Sequence, residues 1–273
     1  MSPPKVGLAL SGGAARGMAH VGVLRALLEN DIRIDCVAGT SAGSIVGGAF
    51  AAGMPIDELA EFGSTMRWRD IGRVTMSRLG VQSNERLEQY LRARLPVTKF
   101  EDMPIPFAAV ATDLKTGKAV VMKDEGDVPF AIRASCAIPG WYVPVLDQEG
   151  RQLVDGGLVA VVPSSVTRQL GADIVIAVDV NTEGATFITS SSSVIGVLLQ
   201  SMMVVQKTAS SHQLEMSDLV ISPKVGHIRW DEMGRADELM EAGYKVGIES
   251  IPKVREIIAS FSDKETERAQ MLV

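Results

Sequence analysis

One serine between two glycines, at a junction of strand and helix, constrains this chain more than any other feature. Ser41 has Gly39 two residues before it and Gly43 two residues after it, which is the G-x-S-x-G pattern of a nucleophile elbow. A serine in such a strained turn brings neighbouring backbone too close for a β-carbon at the two flanking positions. The helix that follows would direct the positive end of its dipole at a developing oxyanion. The pattern indicates a catalytic serine, although Gly- and Ser-rich turns also occur as plain structure.

The elbow belongs to a repeated order of elements. An apolar run at residues 6–10 predicts a strand covered on both faces, and a glycine turn at residues 11–17 leads into a helix. A second strand over residues 32–38 ends at the elbow. This order predicts an α/β fold with a mainly parallel central sheet and helices on both faces, in three layers. Ligands bind such sheets at the carboxyl ends of the strands, where both glycine turns lie.

The first glycine turn is a poor phosphate cradle. It lacks the Gly-Lys-Ser/Thr ending of a P-loop, and Ala14 after Gly13 breaks the G-x-G-x-x-G pattern of a nucleotide-binding protein. Its backbone amides suit an oxyanion hole better. Arg16 in the same turn could bind an anionic head group or hold the turn by hydrogen bonds to carbonyl groups, and we favour the structural role.

Composition excludes several classes of protein. The chain has 273 residues, 46% of them hydrophobic, and a net charge of −6 without a basic run, which argues against nucleic acid as a partner. Cys36 and Cys136 lie in apolar contexts without metal-ligand spacing and are expected to be buried free thiols. The longest apolar run, residues 194–205, is too short to cross a membrane. We expect a soluble, cytoplasmic protein.

The remaining elements follow from hydrophobic patterning. Residues 54–99 are predicted to be helical and to form a solvated cap without chemistry, and residues 107–112 and 119–122 to form a hairpin. Further strands are predicted over residues 172–180 and 219–222, and a closing helix over residues 238–260. A helix over residues 194–205, capped by residues 190–193, either packs in the core or against another subunit, or covers an apolar groove as a mobile flap.

A serine nucleophile needs a base. Asp155 ends an apolar stub and precedes Gly156 and Gly157, a pattern that is typical of a tight turn and that also displays a carboxylate at a strand end. His212 and His227 follow Asp155 in the order of an α/β-hydrolase triad, but in that fold several strands precede the elbow. We therefore favour Asp155, and the triad remains as an alternative.

Three motifs together resemble the patatin-like phospholipase family. They are the segment Leu-Ser-Gly-Gly-Ala-Ala-Arg-Gly at residues 10–17, the elbow Gly-Thr-Ser-Ala-Gly at residues 39–43, and Asp-Gly-Gly at residues 155–157. Ala-Ser-Cys-Ala-Ile-Pro at residues 134–139 is similar to a fourth block of that family. The motifs occupy residues 6–163 of what would be one domain over residues 1–273, with a less characteristic helical part over about residues 190–273.

The resemblance implies a bacterial-type serine acyl hydrolase that cleaves lipid esters through an acyl-enzyme. Ser41 would attack the ester, Asp155 would serve as the base without a histidine, and the backbone at Gly12, Gly13 and Ala14 would hold the oxyanion. Arg16, Gly17, Gly39, Gly43, Gly156 and Gly157 would support the motifs. No metal or other cofactor is implied. The expected partner is a lipid or acyl-ester substrate, with transient membrane-surface contact and a homo-oligomer as further options.

Ala14 is the one departure from that family's pattern, which usually has a third glycine there. If the position requires a positive φ, alanine costs on the order of 1 kcal/mol and its methyl group crowds the hole. This departure motivates a second hypothesis, a catalytically weak lipid-binding or regulatory protein on the same fold. The glycine turn alone motivates a third, a nucleotide-binding protein.

Overall fold

The computed structural model describes residues 3–181 and 194–271, and it contains two sheets. The main sheet has eight strands in the order β11-β10-β1-β2-β5-β9-β8, with β6 paired to β5 as well, and β3, β4 and β7 form the second sheet. The strands are β1 (Val6–Leu10), β2 (Cys36–Thr40), β3 (Arg73–Val74), β4 (Gly80–Ser83), β5 (Phe107–Asp113), β6 (Ala119–Lys123), β7 (Gly140–Tyr142), β8 (Val145–Leu146), β9 (Gln152–Asp155), β10 (Ile174–Val178) and β11 (Leu219–Ile221).

Helices connect these strands and cover the main sheet. Short 3₁₀ turns at Ala14–Met18 and Gly156–Leu158 follow the first glycine turn and Asp155. The α-helices are α1 (Ala19–Glu29), α2 (Ala42–Ala51), α3 (Ile56–Thr65), α4 (Trp68–Ile71), α5 (Glu85–Arg92), α6 (Val128–Ser135), α7 (Ser164–Gln169), α8 (Val194–Leu214) and α9 (Ala236–Met271).

Alternation along the central strands separates the core into two layers. One face of the main sheet presents large side chains to α1, α2 and α6, and the other presents small side chains to α7. Successive strand residues point to opposite faces, so each apolar run supplies both cores. The first set includes Leu8, Val37, Phe107 and Ile176, and the second includes Ala9, Ala38, Ala108 and Ala177. The predicted α/β fold with a mainly parallel sheet and helices on both faces is confirmed.

The register on β5 brings two strand ends together. β6 lies along one side of β5, while β2 and then β9 share the other side. Thr40, the last residue of β2, pairs with Val110, and Asp155, the last residue of β9, pairs with Ala111. Because β2 is parallel and β9 antiparallel to β5, the two strands meet end to end. Ser41, which follows Thr40, is thereby placed beside Asp155.

Several predicted elements differ in detail. The segment 54–99 is helical in α3, α4 and α5, but it also contains the hairpin β3–β4, which sequence patterning missed. Strand 2 begins at Cys36 rather than at residue 32, and α8 continues to Leu214. The predicted cap at residues 190–193 lies outside the described residues. No helix in the described part of the chain combines the length and the hydrophobicity needed to cross a bilayer.

Candidate active site

Ser41 occupies a strained, buried turn between β2 and α2. Its φ is 52° and its ψ is −122°, a combination that a residue with a β-carbon seldom adopts, and its side chain is 7% exposed. The Ser41 amide donates to the Ser135 hydroxyl at 2.8 Å, and that hydroxyl donates to the Val110 carbonyl at 2.6 Å. This link fixes the elbow to β5 and also means that the Ser41 amide is already bonded.

Both glycines of the elbow are required by close backbone contacts. A β-carbon at Gly39 would overlap the Gly43 carbonyl oxygen, and one at Gly43 would overlap the Leu10 carbonyl oxygen. Gly17, in the neighbouring turn, faces the Ala42 methyl group, where an added β-carbon would come within 2.5 Å. The steric reason predicted for the G-x-S-x-G spacing is thus confirmed.

Asp155 is a buried carboxylate held in one orientation. Its side chain is 4% exposed, and Oδ1 accepts the Gly157 amide at 2.7 Å. Its backbone amide donates to the Ala137 carbonyl, and its carbonyl accepts the Thr112 hydroxyl at 2.9 Å. Burial raises the pKa of Asp155 to about 6, while hydrogen bonding from the Ser41 side chain and from the Gly157 amide opposes that rise. A carboxyl group with this pKa is ionised at neutral pH and can still accept a proton.

The two glycines after Asp155 make room for this arrangement. A β-carbon at Gly156 would overlap the Val110 carbonyl oxygen, and one at Gly157 would lie 2.5 Å from the Gln206 side-chain nitrogen of α8. The Asp-Gly-Gly motif therefore lets the chain pass close to β5 on one side and to α8 on the other.

In the first glycine turn, two of the three predicted oxyanion donors have free amides. The Gly12 amide donates to the Val161 carbonyl at 3.0 Å, so it is already bonded. The amides of Gly13 and Ala14 donate to no acceptor among the residues that the structure describes. Ala14 has a φ of 48°, the left-handed conformation that makes alanine costly here.

A side chain from beyond β10 orients the same turn. Asn181 Nδ2 donates to the Gly12 carbonyl oxygen at 2.7 Å and to Asp179 Oδ1 at 3.2 Å. In a trans peptide the carbonyl and the next amide point in opposite directions, so this bond directs the Gly13 N–H away from Asn181. Sequence reasoning missed Asn181, because no local pattern links it to a turn 169 residues away.

Arg16 and His20 hold the turn from beneath. Arg16 is 1% exposed, and its Nε donates to the Ile228 carbonyl at 2.6 Å, which agrees with the predicted structural role. His20 is fully buried, and its Nε2 donates to the Ser11 carbonyl at 2.9 Å. Burial lowers the pKa of His20 to about 4, so the ring is neutral at physiological pH.

The histidines considered for a triad lie elsewhere. His212 Nδ1 contacts Glu215 at 3.1 Å and His227 Nε2 contacts Glu238 at 2.9 Å, and both rings are mostly exposed. Neither lines the cavities around Ser41. A Ser-His-Asp triad therefore has no support in this arrangement.

Two cavities meet at Ser41 and Ala14. The first, of about 780 Å³ including its open mouth, is almost wholly apolar and extends under the helical cap. The second, of about 570 Å³, contains Asp155 and polar groups beside α8. The cap residues that line the first are Leu59, Phe62, Met66, Trp68, Ile71 and Leu87. Residues 54–99 were expected to be only a solvated cap without chemistry; they supply no polar group to the cavity, but they form much of its apolar wall beside Ser41.

The thiol groups agree with the sequence prediction. Cys36 and Cys136 are free and buried. Cys136 lines the apolar cavity next to Ser41, and burial raises the pKa of its thiol far above the ordinary range. Across the described ranges 3–181 and 194–271, no three His, Cys, Asp or Glu side chains cluster as metal ligands would.

All three tryptophans of the chain surround the site. Trp68 lines the apolar cavity and Trp230 lines the polar one, with their ring centroids 5.8 Å apart. Trp141 packs edge-on against Trp230 at 6.1 Å. The Trp230 carbonyl also accepts the Ala15 amide at 2.9 Å, which joins this wall to the glycine turn.

Helix α8 forms the outer wall of the polar cavity. Leu199, Met202, Met203 and Gln206 line it, while Leu198 and Val205 on the outer side are 61% and 64% exposed. The helix therefore lies over the site, as the flap hypothesis requires. Whether it moves, or packs against another subunit, stays a prediction.

Comparison with known proteins places this arrangement in a family. The family model described as Patatin-like phospholipase matches residues 8–167, which is more than half of the chain and includes both glycine turns and Asp155. The chain belongs to the patatin-like phospholipase family. The resemblance seen in the three motifs is thereby confirmed.

Individual relatives and structures agree with this assignment. An uncharacterized NTE family protein of Mycobacterium tuberculosis is 41% identical over 183 residues, which cover 66% of this chain and 50% of the relative. A lysophospholipase, NTE1 of Mycosarcoma maydis, is 37% identical over 64% of this chain and 10% of its own length. The chain thus spans about half the length of the mycobacterial relatives. VipD from Legionella pneumophila shares the fold, with a TM-score of 0.59 at 15% identity over 92% of this chain and 67% of that chain.

Proposed function

We propose that this protein is a serine acyl hydrolase that cleaves carboxylic esters of lipids, of the phospholipase A or lysophospholipase type, through an acyl-enzyme. The observation that supports it most directly is the meeting of Ser41 in a strained elbow with a buried carboxylate, Asp155, at one strand junction. The family supports a lipid ester as the substrate, and the relative named lysophospholipase supports a single-chain phospholipid among the candidates.

In the first step Ser41 Oγ attacks the ester carbonyl carbon and Asp155 accepts the hydroxyl proton. Asp155 then gives this proton to the departing alcohol, which leaves an acyl group on Ser41. In the second step Asp155 takes a proton from water, hydroxide attacks the acyl carbonyl, and Ser41 regains its proton as the fatty acid departs. A pKa of about 6 suits both directions of transfer near neutral pH.

The negative charge on the carbonyl oxygen needs donors. The free amides of Gly13 and Ala14 border the same cavity as Ser41 and Asp155, and α2 begins directly after Ser41. Amides and a helix N-terminus held in place before the reaction stabilise a developing oxyanion without reorganisation. We assign the oxyanion to the amides of Gly13 and Ala14, with the Gly12 carbonyl orienting the Gly13 amide through their shared peptide.

Each of the two cavities would bind a different part of the substrate. The apolar cavity under the cap suits the acyl chain, because burying each methylene group there stabilises the complex by about 0.8 kcal/mol. The polar cavity, with Gln206 and Trp230, suits the alcohol part that departs. On this assignment Trp68 borders the acyl chain and Trp230 borders the alcohol part.

The direct test is turnover of a lysophospholipid and of a short-chain nitrophenyl ester by Ser41→Ala. We expect the variant to lose at least about 10³-fold in kcat/KM, because it lacks the proposed nucleophile and burial keeps the neighbouring Cys136 thiol protonated. His212→Ala and His227→Ala are matched controls and should retain nearly full activity. Undiminished turnover by Ser41→Ala would refute the proposal, and an inactive histidine variant would reinstate the triad.

A further inference from the structure

The hairpin β3–β4 concentrates exposed apolar and basic side chains. Val74, Met76 and Leu79 are 75%, 103% and 57% exposed at its tip. Arg73 and Arg78 lie among them, are exposed, and form no ion pair within the described part of the chain. Apolar residues that project this far are uncommon on soluble proteins, where they mark contact surfaces.

The charge of this segment is opposite to that of the whole molecule. Residues 67–79, which run from the start of α4 to the tip of the hairpin, contain four arginines and one aspartate, whereas the chain has a net charge of −6. An anionic surface would therefore repel most of the protein and attract this hairpin, which fixes the orientation of approach. Arginine pairs well with phosphate groups, and apolar side chains beside it can enter the region between head groups.

The hairpin is continuous with the wall of the apolar cavity. Trp68 and Ile71, just before β3, line that cavity. On the other side, Gln82 of β4 pairs with Tyr142 of β7, and Tyr142 lines the same cavity. A surface that holds the hairpin tip therefore lies next to the proposed acyl-chain cavity.

From these observations we propose that the β3–β4 hairpin docks the protein on lipid bilayers that contain anionic phospholipids. Val74, Met76 and Leu79 enter the interface, and Arg73 and Arg78 bind lipid phosphates. A narrow two-stranded tip fits this partner better than a second copy of the chain, because a stable dimer buries about 1,600 Å². Docking would bring the active site to its lipid substrate. In that respect the inference rests on the proposed function, whereas the binding itself does not depend on hydrolysis.

Sedimentation with vesicles tests the docking without any catalysis. The Ser41→Ala protein is mixed with vesicles of phosphatidylcholine alone or of phosphatidylcholine with phosphatidylglycerol, at low and high salt. We expect binding to the anionic vesicles, weakened by salt. The variants Met76→Asp with Leu79→Asp, and Arg73→Glu with Arg78→Glu, should each weaken binding at least about tenfold.

Two controls match these changes. Met216→Asp with Ile248→Asp alters two other exposed apolar residues, one before β11 and one on α9, and changes the net charge by the same amount as the Met76 and Leu79 pair. Lys245→Glu with Lys253→Glu changes the net charge by the same amount as the arginine pair, on α9. Both controls should bind as the parent does.

Three outcomes would overturn the docking proposal. The first is absence of binding to anionic vesicles, and the second is an equal loss of vesicle binding in the control variants. The third is a dimer of the parent protein in sedimentation velocity that the hairpin substitutions convert to monomer. In the Ser41-containing protein, the hairpin variants should keep full activity on a soluble short-chain ester. Loss of vesicle binding with that activity intact separates docking from hydrolysis, so either claim can fail alone.

Discussion

The two glycine turns of this protein lie side by side and are held in different ways. Each joins a parallel strand to a helix, and each has one non-glycine residue at positive φ, Ala14 at 48° and Ser41 at 52°. The turn after β2 is held by close backbone packing, since Gly39 and Gly43 leave no room for a β-carbon against the elbow and β1. Ser135 adds a hydrogen bond, which its hydroxyl accepts from the Ser41 amide. The turn after β1 is held by groups distant in sequence, including Asn181 and Trp230.

The difference shows that the backbone conformation of a turn and the direction of its amide groups can have separate structural causes. The conformation of the elbow depends on close backbone contacts that only glycine allows at residues 39 and 43, and a short motif records that requirement. The turn after β1 obtains its orientation from a side chain after β10 and from the loop at residues 226–230. Its own sequence therefore specifies that it can turn, but not where its amides point.

The largest expected effect is on stability, and it is tested by placing alanine at one glycine of each turn. In Gly43→Ala the new methyl group would overlap carbonyl oxygens of β1, so we expect a loss of more than about 3 kcal/mol or no folded protein. In Gly12→Ala the methyl group would lie 3.4 Å from the Ser41 β-carbon, an ordinary contact, and the loss should be about 1 kcal/mol or less. Chemical unfolding of both variants measures this, and equal losses would contradict the distinction.

Asn181→Ala should separate orientation from stability. Without the bond to the Gly12 carbonyl, the Gly13 amide is no longer directed, and we expect kcat to fall about tenfold or more with little change in KM. Steady-state kinetics on a soluble ester measures the two constants. Asn181→Asp, nearly the same size but unable to donate, should behave like alanine, and Asn181→Gln should recover part of kcat. A rise in KM at unchanged kcat would place Asn181 in binding instead.

Ala14→Gly should have the smallest of the three expected effects, and it should increase activity rather than decrease it. Glycine removes a left-handed strain on the order of 1 kcal/mol, but its freer unfolded state cancels a similar amount. Thermal stability should therefore change little, while the rate of acylation rises by up to about tenfold as the turn relaxes. Stopped-flow acylation measures this rate. A slower Ala14→Gly would show that the methyl group supports the site.

Much of the site could be predicted because its motifs are local. The glycines around Ser41 and after Asp155 are each required by a close contact that leaves no room for a β-carbon, so a short motif records them even where the contacting group is distant in sequence. Both motifs lie where the order of strands puts them. The apolar cavity could not be predicted from residues 54–99, because its walls are amphipathic helices whose inner faces look like ordinary core. The hairpin β3–β4 was missed because its two strands are short and neither is buried, β3 being exposed and β4 half-buried.

In the proposed mechanism Asp155 is the base for Ser41 in a working oxyanion hole. The most direct measurement is the rate of labelling by a fluorophosphonate, read by intact mass, across a range of pH. Burial raises the pKa of Asp155 to about 6, so the labelling rate should be flat above that pH and fall about tenfold per unit below it. Asp155→Asn should label at least about 10³-fold more slowly, without this pH dependence.

Stability supplies the control for that variant. Because the folded state raises the pKa of Asp155 from 3.8 to about 6, the ionised carboxylate costs the folded protein about 3 kcal/mol above pH 6 and nothing below about pH 4. Asp155→Asn should thus be more stable than the parent at pH 8, with an advantage that vanishes on acidification. We predict a single adduct on the parent protein. Ser41→Ala should abolish this adduct, and Asp155→Asn, although stably folded, should nearly abolish it. Normal labelling of folded Asp155→Asn would contradict the account.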